Sequence, residues 1–476
     1  MIKRILFSLA LLVSVAFVGP ATVTFAGPVA VAALKPNAPF SPSQLANNAA
    51  WYSLAGSASD NTYLLNGGNV TLIADRSGNS AVNGLVLNGA TGQYATSNAP
   101  ATLLTGDLDI RFFASLASWA PAVECGLLNR GNIGGAYSWL VYLKTDGKLL
   151  IQWKNGSGVQ KSATSSVAVG AAAYANKWVR IVLDVDNGAS GSDVLFYTSD
   201  DGSTWTPLGT TQTVGSTAGL SAGTSYVQIG AGDSAYEPCT GIVYRAQIYN
   251  GIAGTLVFDA NFTTQAKLAT SFTESSANAA TVTINTSGDL GARICGARDL
   301  VQLTAAKQPA FSVVGGYNTA TGDGVDDYMK AAAFSFSQPE SVYFVGSQVT
   351  WTLNDEIFDG FTSGQRMAII QLGTTPEIDL FAGTVAPANT AWPVATKAVL
   401  RAIFNGAASS LGVNLSAATT GNANTQSGGG FTLGAANDGS TAANITFNEV
   451  ILRSVADDAT TQLRLAGYEM KKWEVP

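Results

Sequence analysis

The sequence predicts an all-β protein of two tandem β-sandwich (jelly roll) units, with a hydrophobic segment before them and one short helix after them. Three observations support this prediction. Short runs of alternating apolar and polar residues recur along the 476 residues, turn-forming pairs such as Asn-Gly and Asp-Gly separate the runs, and one element recurs weakly in each half. Many short strands at regular spacing are typical of sandwiches and barrels. The predicted boundaries are residues 1–44 for the hydrophobic segment and its linker, 45–290 for the first unit and 291–476 for the second.

The first element is an uncharged stretch that follows Lys3 and Arg4 and continues to residue 34. A basic start, an apolar middle and small residues at positions 30–32 are typical of a secretory signal peptide. The stretch also approaches the roughly 20 residues that a membrane span needs, so an uncleaved anchor is an alternative. A third interpretation is an attachment peptide buried in a larger assembly. A proline-rich linker over residues 35–42 separates this segment from the body of the chain.

Residues 137–154 show the strand pattern most plainly. Apolar residues, Trp139 and Trp153 among them, occupy alternate positions on two runs, and Asp146-Gly147 between the runs predicts a tight hairpin turn. The same period of two continues over residues 178–186, which predicts a further strand with one buried face. The residues predicted to face the core there are Val179, Ile181, Leu183 and Val185.

The last element is the predicted helix. The acidic pair Asp457-Asp458 precedes it, which suits a helix start, and apolar residues then recur at helical spacing. These apolar residues are Leu463, Ala466, Met470 and Trp473.

A weak internal repeat supports two copies of one β unit. An Asp-led loop at Asp75 precedes a turn that ends in Tyr94, and a second Asp-led loop at Asp299 precedes a turn that ends in Tyr328. Self-similarity of this kind indicates duplicated structural units. We therefore expect one copy in each half of the chain.

The composition excludes several classes of function. Histidine is absent, so Ser/His/Asp and Cys/His nucleophile systems have no base, and histidine-rich zinc sites have no ligands. Any proton transfer would fall to Asp, Glu, Lys or Tyr. With 25 Lys+Arg against 32 Asp+Glu, the net charge is −7. Nucleic-acid binding is not expected, because it needs a basic stripe.

Several elements together resemble the concanavalin A-like (laminin-G-like) lectin/glucanase family. The segments that carry this resemblance are Asp-Arg-Ser-Gly-Asn at 75–79, Asn-Lys-Trp-Val-Arg at 176–180, Asp-Gly-Val-Asp-Asp-Tyr at 323–328, and Glu-Val-Ile-Leu-Arg at 449–453 with the helix after it. The start of the chain is similar to phage and prophage structural proteins with such domains at residues 39–45 and 51–52, and so are segments 404–410 and 429–434. The resemblance implies a jelly-roll fold and a virion setting.

Sugar binding is one function that the resemblance implies. Such sites combine an aromatic ring for the apolar side of a sugar with planar polar groups for its hydroxyls. On the polar face of the predicted hairpin, Tyr142 and Gln152 fit this description, and Arg180 and Asp184 occupy the corresponding face of the next strand. These four are the carbohydrate-binding candidates. The alternative is the hydrated side of an ordinary sheet.

Calcium is the one cofactor that we consider, because it is common in this superfamily. Asp323, Asp326 and Asp327 fall in one turn, and Ca²⁺ takes six to eight oxygen ligands. These three residues are the metal-binding candidates. The alternative is a solvated turn, in which aspartate is favoured in any case.

Residues 377–382 resemble the active strand of laminarinase-type glycoside hydrolases, which reads Glu-Ile-Asp-Leu-Phe-Glu. Glu377 and Asp379 match, but Ala382 stands where the acid/base glutamate belongs. A retaining mechanism needs two carboxyl groups about 5–5.5 Å apart. No catalytic residue is therefore predicted.

Residues 198–205 resemble the Asp-box of sialidases. That motif is a hairpin turn closed by Asp and Gly, with a Trp packed against it. Because the chain carries one copy, we expect a structural turn here and no chemistry.

The predicted function is that of a non-enzymatic phage virion surface protein, a fibre or decoration component, that displays lectin-like domains for host-glycan binding or for assembly. The expected partners are other virion proteins and a cell-surface glycan, and the resemblance to fibre proteins suggests a homo-oligomer such as a trimer. The alternative is a secreted or surface-anchored bacterial adhesin that binds polysaccharide. A glycan-cleaving enzyme is the least favoured interpretation.

Overall fold

The computed structural model describes residues 42, 45–55, 63–78, 82–98, 104–131, 137–215, 219–222, 226–232, 237–286 and 291–476, with the side chains of 387–389 excepted. The predicted hydrophobic segment 1–44 therefore lies outside the described residues, apart from residue 42. Residues 41–476 form one compact unit. Strands dominate it, and the predicted all-β class is confirmed.

The first three strands of the described residues belong to a sandwich that only the C-terminal half completes. They are β1 (Asn48–Ser53), β2 (Tyr63–Asn66) and β3 (Asn69–Ile73). The first of them pairs antiparallel with the final strand of the chain, Ile445–Arg453, with Trp51 opposite Ile451.

Residues 83–296 then form a complete sandwich, here called the N-terminal sandwich. Its strands are β4 (Asn83–Asn88), β5 (Tyr94–Ser97), β6 (Leu108–Leu116), β7 (Cys125–Arg130), β8 (Trp139–Leu143), β9 (Leu149–Lys154), β10 (Gln160–Thr164), β11 (Asn176–Asp184), β12 (Ser192–Ser199), β13 (Thr206–Pro207), β14 (Gln212–Val214), β15 (Val227–Ile229), β16 (Thr240–Asn250), β17 (Thr255–Asn261), β18 (Ser271–Thr273), β19 (Thr281–Asn285) and β20 (Arg293–Gly296).

Two sheets build the N-terminal sandwich. Sheet I has the strand order β10-β9-β8-β7-β15-β5-β19-β18, and sheet II has the order β13-β12-β11-β6-β16-β4-β20, with β14 and β17 paired beside it. Trp139 and Trp153 face each other across β8 and β9 and are fully buried between the sheets. The core residues predicted on β11, and Val185 directly after its end, are buried in the same cluster. Both predictions are confirmed, since period-two burial is a local property of each strand.

The remaining strands complete the C-terminal sandwich, which comprises residues 48–73 and 300–453. They are β21 (Leu300–Val301), β22 (Ala310–Val314), β23 (Tyr317–Thr321), β24 (Met329–Lys330), β25 (Glu340–Gln348), β26 (Glu356–Asp359), β27 (Ala368–Ile370), β28 (Glu377–Phe381), β29 (Val385–Ala391), β30 (Ala398–Phe404), β31 (Ser409–Val413), β32 (Thr419–Gly421), β33 (Thr432–Leu433) and β34 (Ile445–Arg453). Three short 3-10 turns lie at Phe262–Thr264, Ala305–Lys307 and Gly406–Ala408.

The predicted C-terminal helix is confirmed as α1 (Ala459–Lys472). Asp458 caps it, because its Oδ1 accepts a 2.7 Å hydrogen bond from the backbone N–H of Thr461. Ala466 and Trp473 are buried against β25 and β30. In the part of the chain that the structure describes, no helix is long and apolar enough to cross a membrane.

The strand pairing divides the chain differently from the predicted boundaries of 45–290 and 291–476. The N-terminal sandwich is inserted between β3 and β21, which pair with each other through Leu72 and Val301. Its own first and last strands, β4 and β20, are also paired neighbours. The loops taken as two repeat copies lie side by side, since Asp299 Oδ1 accepts a 2.9 Å bond from Asp75 N.

A small apolar cluster joins the two sandwiches. It is separate from the two main cores, which draw on residues 85–294 and on residues 49–73 with 300–452. Its buried members are Leu72, Ala74, Val86, Ile242, Tyr244, Cys295 and Val301. Both sandwiches contribute to it, so they meet through packed side chains as well as through the two crossings of the chain.

Candidate functional site

The four predicted sugar contacts lie on opposite layers of the N-terminal sandwich. Tyr142 and Gln152 belong to sheet I, whereas Arg180 and Asp184 belong to sheet II. Tyr142 is 2% exposed, because Tyr137 and other apolar side chains cover it. The structure therefore does not bring the four together into one site.

Arg180 instead lies in a patch on the outer face of sheet II. Register places it directly opposite Arg111 on β6 and opposite Tyr197 on β12. We call this patch the arginine–aromatic platform, and its members are Arg111, Arg180, Tyr197, Trp205 and Tyr249. Asp184, four residues after Arg180 on the same face of β11, belongs to the next turn, where its Oδ1 accepts from Asp186 N at 3.2 Å.

A buried carboxylate holds the two arginines of the platform. The side chain of Asp109 is fully buried, and both of its oxygens accept from each guanidinium. Nε and Nη2 of Arg111 donate at 3.1 and 2.9 Å, and the same atoms of Arg180 donate at 2.9 and 2.8 Å. Burial alone would raise the pKa of Asp109, but the two arginines outweigh it and hold that pKa below its usual value.

Aromatic rings surround these guanidinium groups. The Arg180 guanidinium carbon lies 5.2 Å from the ring centre of Tyr197 and 5.5 Å from that of Trp205. The Arg111 carbon lies 5.5 Å from Trp205 and 4.2 Å from Tyr249. Both arginine side chains keep a small exposure, 17% and 14%. The arrangement is a rigid surface of planar groups, since cation–π contacts and fixed forks restrict each side chain.

The Asp-box-like turn positions Trp205. Asp201 Oδ1 accepts from the backbone N–H of Ser203 and Thr204 at 2.8 and 2.7 Å. These bonds, that of Thr204 foremost, hold the pKa of Asp201 below its usual value. The ring of Trp205 then meets Trp178 edge to face at 6.3 Å. The predicted turn is confirmed, and it delivers an aromatic ring to the platform.

The predicted calcium ligands do converge. One carboxylate oxygen each from Asp323, Asp326 and Asp327 lies within 4.8 Å of the others. Burial, followed by the charge of Asp323, raises the pKa of Asp327 to about 7. Three carboxylates at this spacing fit Ca²⁺, which accepts oxygen ligands from carboxylates, carbonyls and water.

The glucanase-like strand is β28. Glu377 Oε2 accepts from the backbone N–H of Thr374 at 3.0 Å and from its hydroxyl, so this carboxylate closes a turn. Asp379 is 3% exposed, and Ala382, at the acid/base position, is fully buried.

Comparison with known proteins returns fold neighbours only. No protein-family model matches the chain, and no curated protein matches it. The LG1-3 region of the laminin alpha2 chain is 13% identical, over 80% of this chain and 64% of that one, with a TM-score of 0.32. Mouse laminin alpha1 domains LG4-5 are 9% identical, over 83% of this chain and 96% of that one, with a TM-score of 0.32. The Ruminococcus gnavus IT-sialidase CBM40 bound to alpha2,3 sialyllactose is 13% identical, over 37% and 94%, with a TM-score of 0.24.

Laminin LG domains are thus among the solved structures that this chain resembles, as the sequence resemblance predicts. At these identities and TM-scores, the ligands of those proteins are not assigned to this chain.

The sequence analysis did not predict five of the residues here as ligand contacts. They are the platform members Arg111, Tyr197, Trp205 and Tyr249, and Asp109, which holds the two arginines. A signal was available on β6, where Asp109, Arg111 and Phe113 alternate with apolar residues and so share one face. Only the pairing of β6 with β11, which is not encoded locally, shows that this face meets Arg180.

Proposed function

We propose that this protein binds glycans without cleaving them, through the arginine–aromatic platform. The observation that carries the proposal is the pair of guanidinium groups fixed by one buried carboxylate among three aromatic rings. Aromatic rings pack against the C–H face of a sugar, and arginine N–H groups donate to its hydroxyls. Because the side chains are already ordered, little rotamer freedom is lost on binding.

The platform retains hydrogen-bonding capacity towards solvent. Among the described residues, no acceptor pairs with Nη1 of Arg180, and Nη1 of Arg111 reaches Tyr249 Oη at 3.5 Å, a long contact. With two arginines and one aspartate, the platform carries a net charge of about +1, since arginine stays protonated. Hydroxyl-rich and acidic sugars both suit such a surface.

A glycan array tests this proposal, followed by calorimetry with the strongest binder. We expect Arg180→Gln and Trp205→Ala each to weaken binding at least tenfold. Arg245→Gln is the matched control, because Arg245 makes the same two-pronged contact on the same sheet, to Asp259 at 2.7 and 2.7 Å, outside the platform. An array without binders would refute glycan binding and leave a purely architectural role.

The proposed setting is a virion surface, where the protein would act as a fibre or decoration component and as a homo-oligomer. The support is the resemblance of residues 39–45, 51–52, 404–410 and 429–434 to phage structural proteins. The alternative is a secreted or anchored bacterial adhesin. Mass spectrometry of the native protein separates them: an intact Met1 in purified particles supports the virion, and a chain that starts near Ala33 supports secretion.

The absence of catalysis is part of the proposal. It is supported by Ala382 at the acid/base position and by the turn-closing role of Glu377. Release of reducing ends or unsaturated products from a glycan, abolished by Glu377→Gln, would overturn it.

Calcium is proposed as a structural ion at Asp323, Asp326 and Asp327, where it would neutralise three neighbouring carboxylates. Its expected effect is stabilisation of this turn, without a direct part in sugar binding. Calorimetric titration with CaCl₂ against MgCl₂ measures it, and equal, weak heats for the two salts would contradict a calcium site.

A further inference from the structure

Two of the three cysteines lie next to each other in the core of the N-terminal sandwich. Cys125 begins β7 in sheet I, and Cys239 directly precedes β16 in sheet II, so the two side chains enter the core from opposite sheets. They are 3% and 0% exposed and belong to the same apolar cluster. The two positions are 114 apart in the sequence, so only the fold brings these thiols together.

Contacts with the backbone fix the approach of the two thiols. The Sγ of Cys239 donates to the carbonyl oxygen of Gly126, the residue that follows Cys125, at 3.2 Å. The N–H of Gly126 donates at 3.0 Å to the carbonyl of Glu237, two residues before Cys239. The Cys239 thiol also interacts directly with the thiol of Cys125. The two segments that carry the cysteines are therefore joined by the main chain, and the thiols meet between them.

The third cysteine is kept apart from this pair. Cys295 lies on β20 and is buried in the small apolar cluster that joins the two sandwiches. Burial raises the pKa of its thiol to about 11, so it stays protonated and unreactive in the folded protein. The fold thus divides the three cysteines into one neighbouring pair and one separate thiol, which their spacing in the sequence does not show.

We propose that Cys125 and Cys239 form an intramolecular disulfide when the chain folds in the presence of a small-molecule disulfide such as oxidised glutathione. The thiolate of one cysteine attacks a sulfur of oxidised glutathione, which forms a mixed disulfide and releases one glutathione thiolate. The second cysteine then attacks the protein sulfur of the mixed disulfide, which forms the bond between the two cysteines and releases the second glutathione. The protein loses two thiol hydrogens and is oxidised, while one glutathione disulfide is reduced to two thiols.

This bond has to form before the core closes. Burial, followed by the neighbouring Cys125 thiol, raises the pKa of the Cys239 thiol well above its usual value. The thiolate is the nucleophile in disulfide exchange, and the folded chain keeps this thiol protonated and away from solvent. Once formed, the bond is shielded in the same way, and it links sheet I to sheet II across a long loop of chain.

The compartment in which the chain folds therefore decides the state of the pair. Oxidising compartments outside the cytosol supply disulfide exchange, whereas the cytosol keeps thiols reduced. A chain that is exported before it folds would acquire the bond, and a chain that folds in the cytosol would bury both thiols in the reduced form.

Refolding in glutathione followed by thiol labelling tests this proposal on the full chain. The protein is unfolded in urea with dithiothreitol, refolded into a mixture of reduced and oxidised glutathione, and alkylated with iodoacetamide in denaturant. We expect one alkylated residue, Cys295, and a pair of peptides linked through Cys125 and Cys239. Three alkylated cysteines, a bond to Cys295, or glutathione left on either member of the pair would each overturn the proposal.

A comparison of the folded and unfolded chain shows whether the fold places the pair. Because folding holds the two thiols together, the bond should persist at a ratio of reduced to oxidised glutathione at least about tenfold higher in native buffer than in concentrated urea. Equal ratios in the two conditions would contradict this placement.

Two variants check the assignment of the bond. Cys295→Ser removes the separate thiol and should keep the bond, with no alkylated residue. Cys239→Ser should form no bond and show two alkylated residues, Cys125 and Cys295. The Cys295→Ser result decides by itself where Cys239→Ser does not fold, since an alkylated cysteine in that refolded variant would contradict the bond.

Discussion

Replacement of Asp109 by Asn should damage both the stability and the binding surface of the N-terminal sandwich. The fully buried carboxylate accepts four hydrogen bonds from two arginines that lie directly opposite each other on paired strands. Asparagine offers one oxygen and one amide donor, so it opposes two guanidinium groups with no negative charge. Removal of one partner from a buried ion pair typically costs about 3–5 kcal/mol, and like charges opposite each other in a sheet add repulsion. We expect a loss within that range.

Hydrogen exchange at the amides of β6 and β11 measures this loss without assuming two-state unfolding of a two-sandwich chain. Asp259→Asn is the matched control, because Asp259 is 3% exposed and binds one arginine, Arg245. The control should bind glycan as the wild type does, whereas Asp109→Asn should lose at least tenfold in affinity. A loss below about 1 kcal/mol, or wild-type glycan affinity, would refute the role given to Asp109.

Three further predictions concern other parts of the chain. Burial raises the pKa of Glu340 to about 8, so the folded state keeps a proton that the unfolded state releases above pH ~4. The free energy of unfolding should therefore fall from pH 5 to pH 8, and Glu340→Gln should remove on the order of 3 kcal/mol of that fall. Urea titrations at each pH measure this, and an unchanged pH slope in the variant would contradict it. Calcium must displace the proton of Asp327, because burial and the charge of Asp323 raise its pKa to about 7. We therefore expect 1 mM CaCl₂, about a hundredfold or more above the Kd of a sensor-type site, to raise the melting temperature more at pH 8 than at pH 5.5, and Asp327→Asn to abolish the difference. Gly202 has φ of 73°, and a Cβ there would lie 2.7 Å from the side chain of Trp178. Gly202→Ala should therefore displace the turn, destabilise the sandwich by about 1–3 kcal/mol and weaken glycan binding. Gly215→Ala is the control, because a Cβ at that position meets no atom within 4 Å.

Local periodicity predicted the features that depend on one strand or one turn. The burial of Trp139 and Trp153, the core face of β11, the helix after Asp458 and the turn at Asp201 all follow from the pattern of residues within one short segment of the sequence. The platform could not be predicted in this way, because its residues come mainly from β6, β11, β12 and β16, which only strand pairing brings together. Arg180 was recognised as a polar residue on an outer face, but its partners lie up to 71 positions away.

The domain boundaries failed to follow the sheets for the same reason. Leu72 and Val301 pair although they are 229 positions apart in the sequence, and residues 83–296 between them form a separate sandwich. Asp75 and Asp299 were interpreted as equivalent points of two repeats, yet they are hydrogen-bonded neighbours at one junction. Two similar loops can be copies of a repeated unit or neighbours at one junction, and their sequences look alike in both cases. Only the strand pairing distinguishes the two.

The insertion also explains how the two sandwiches are held together. A single linker between two domains leaves them free to move unless their interface is large and apolar. Here the chain crosses twice, at β3 to β4 and at β20 to β21, and both crossings are tied by strand pairing within each sandwich. The apolar cluster around Ile242 and Val301 adds packing between the crossings. Separation of the two sandwiches would therefore expose this apolar cluster to water, a cost that a single flexible linker between two domains does not impose.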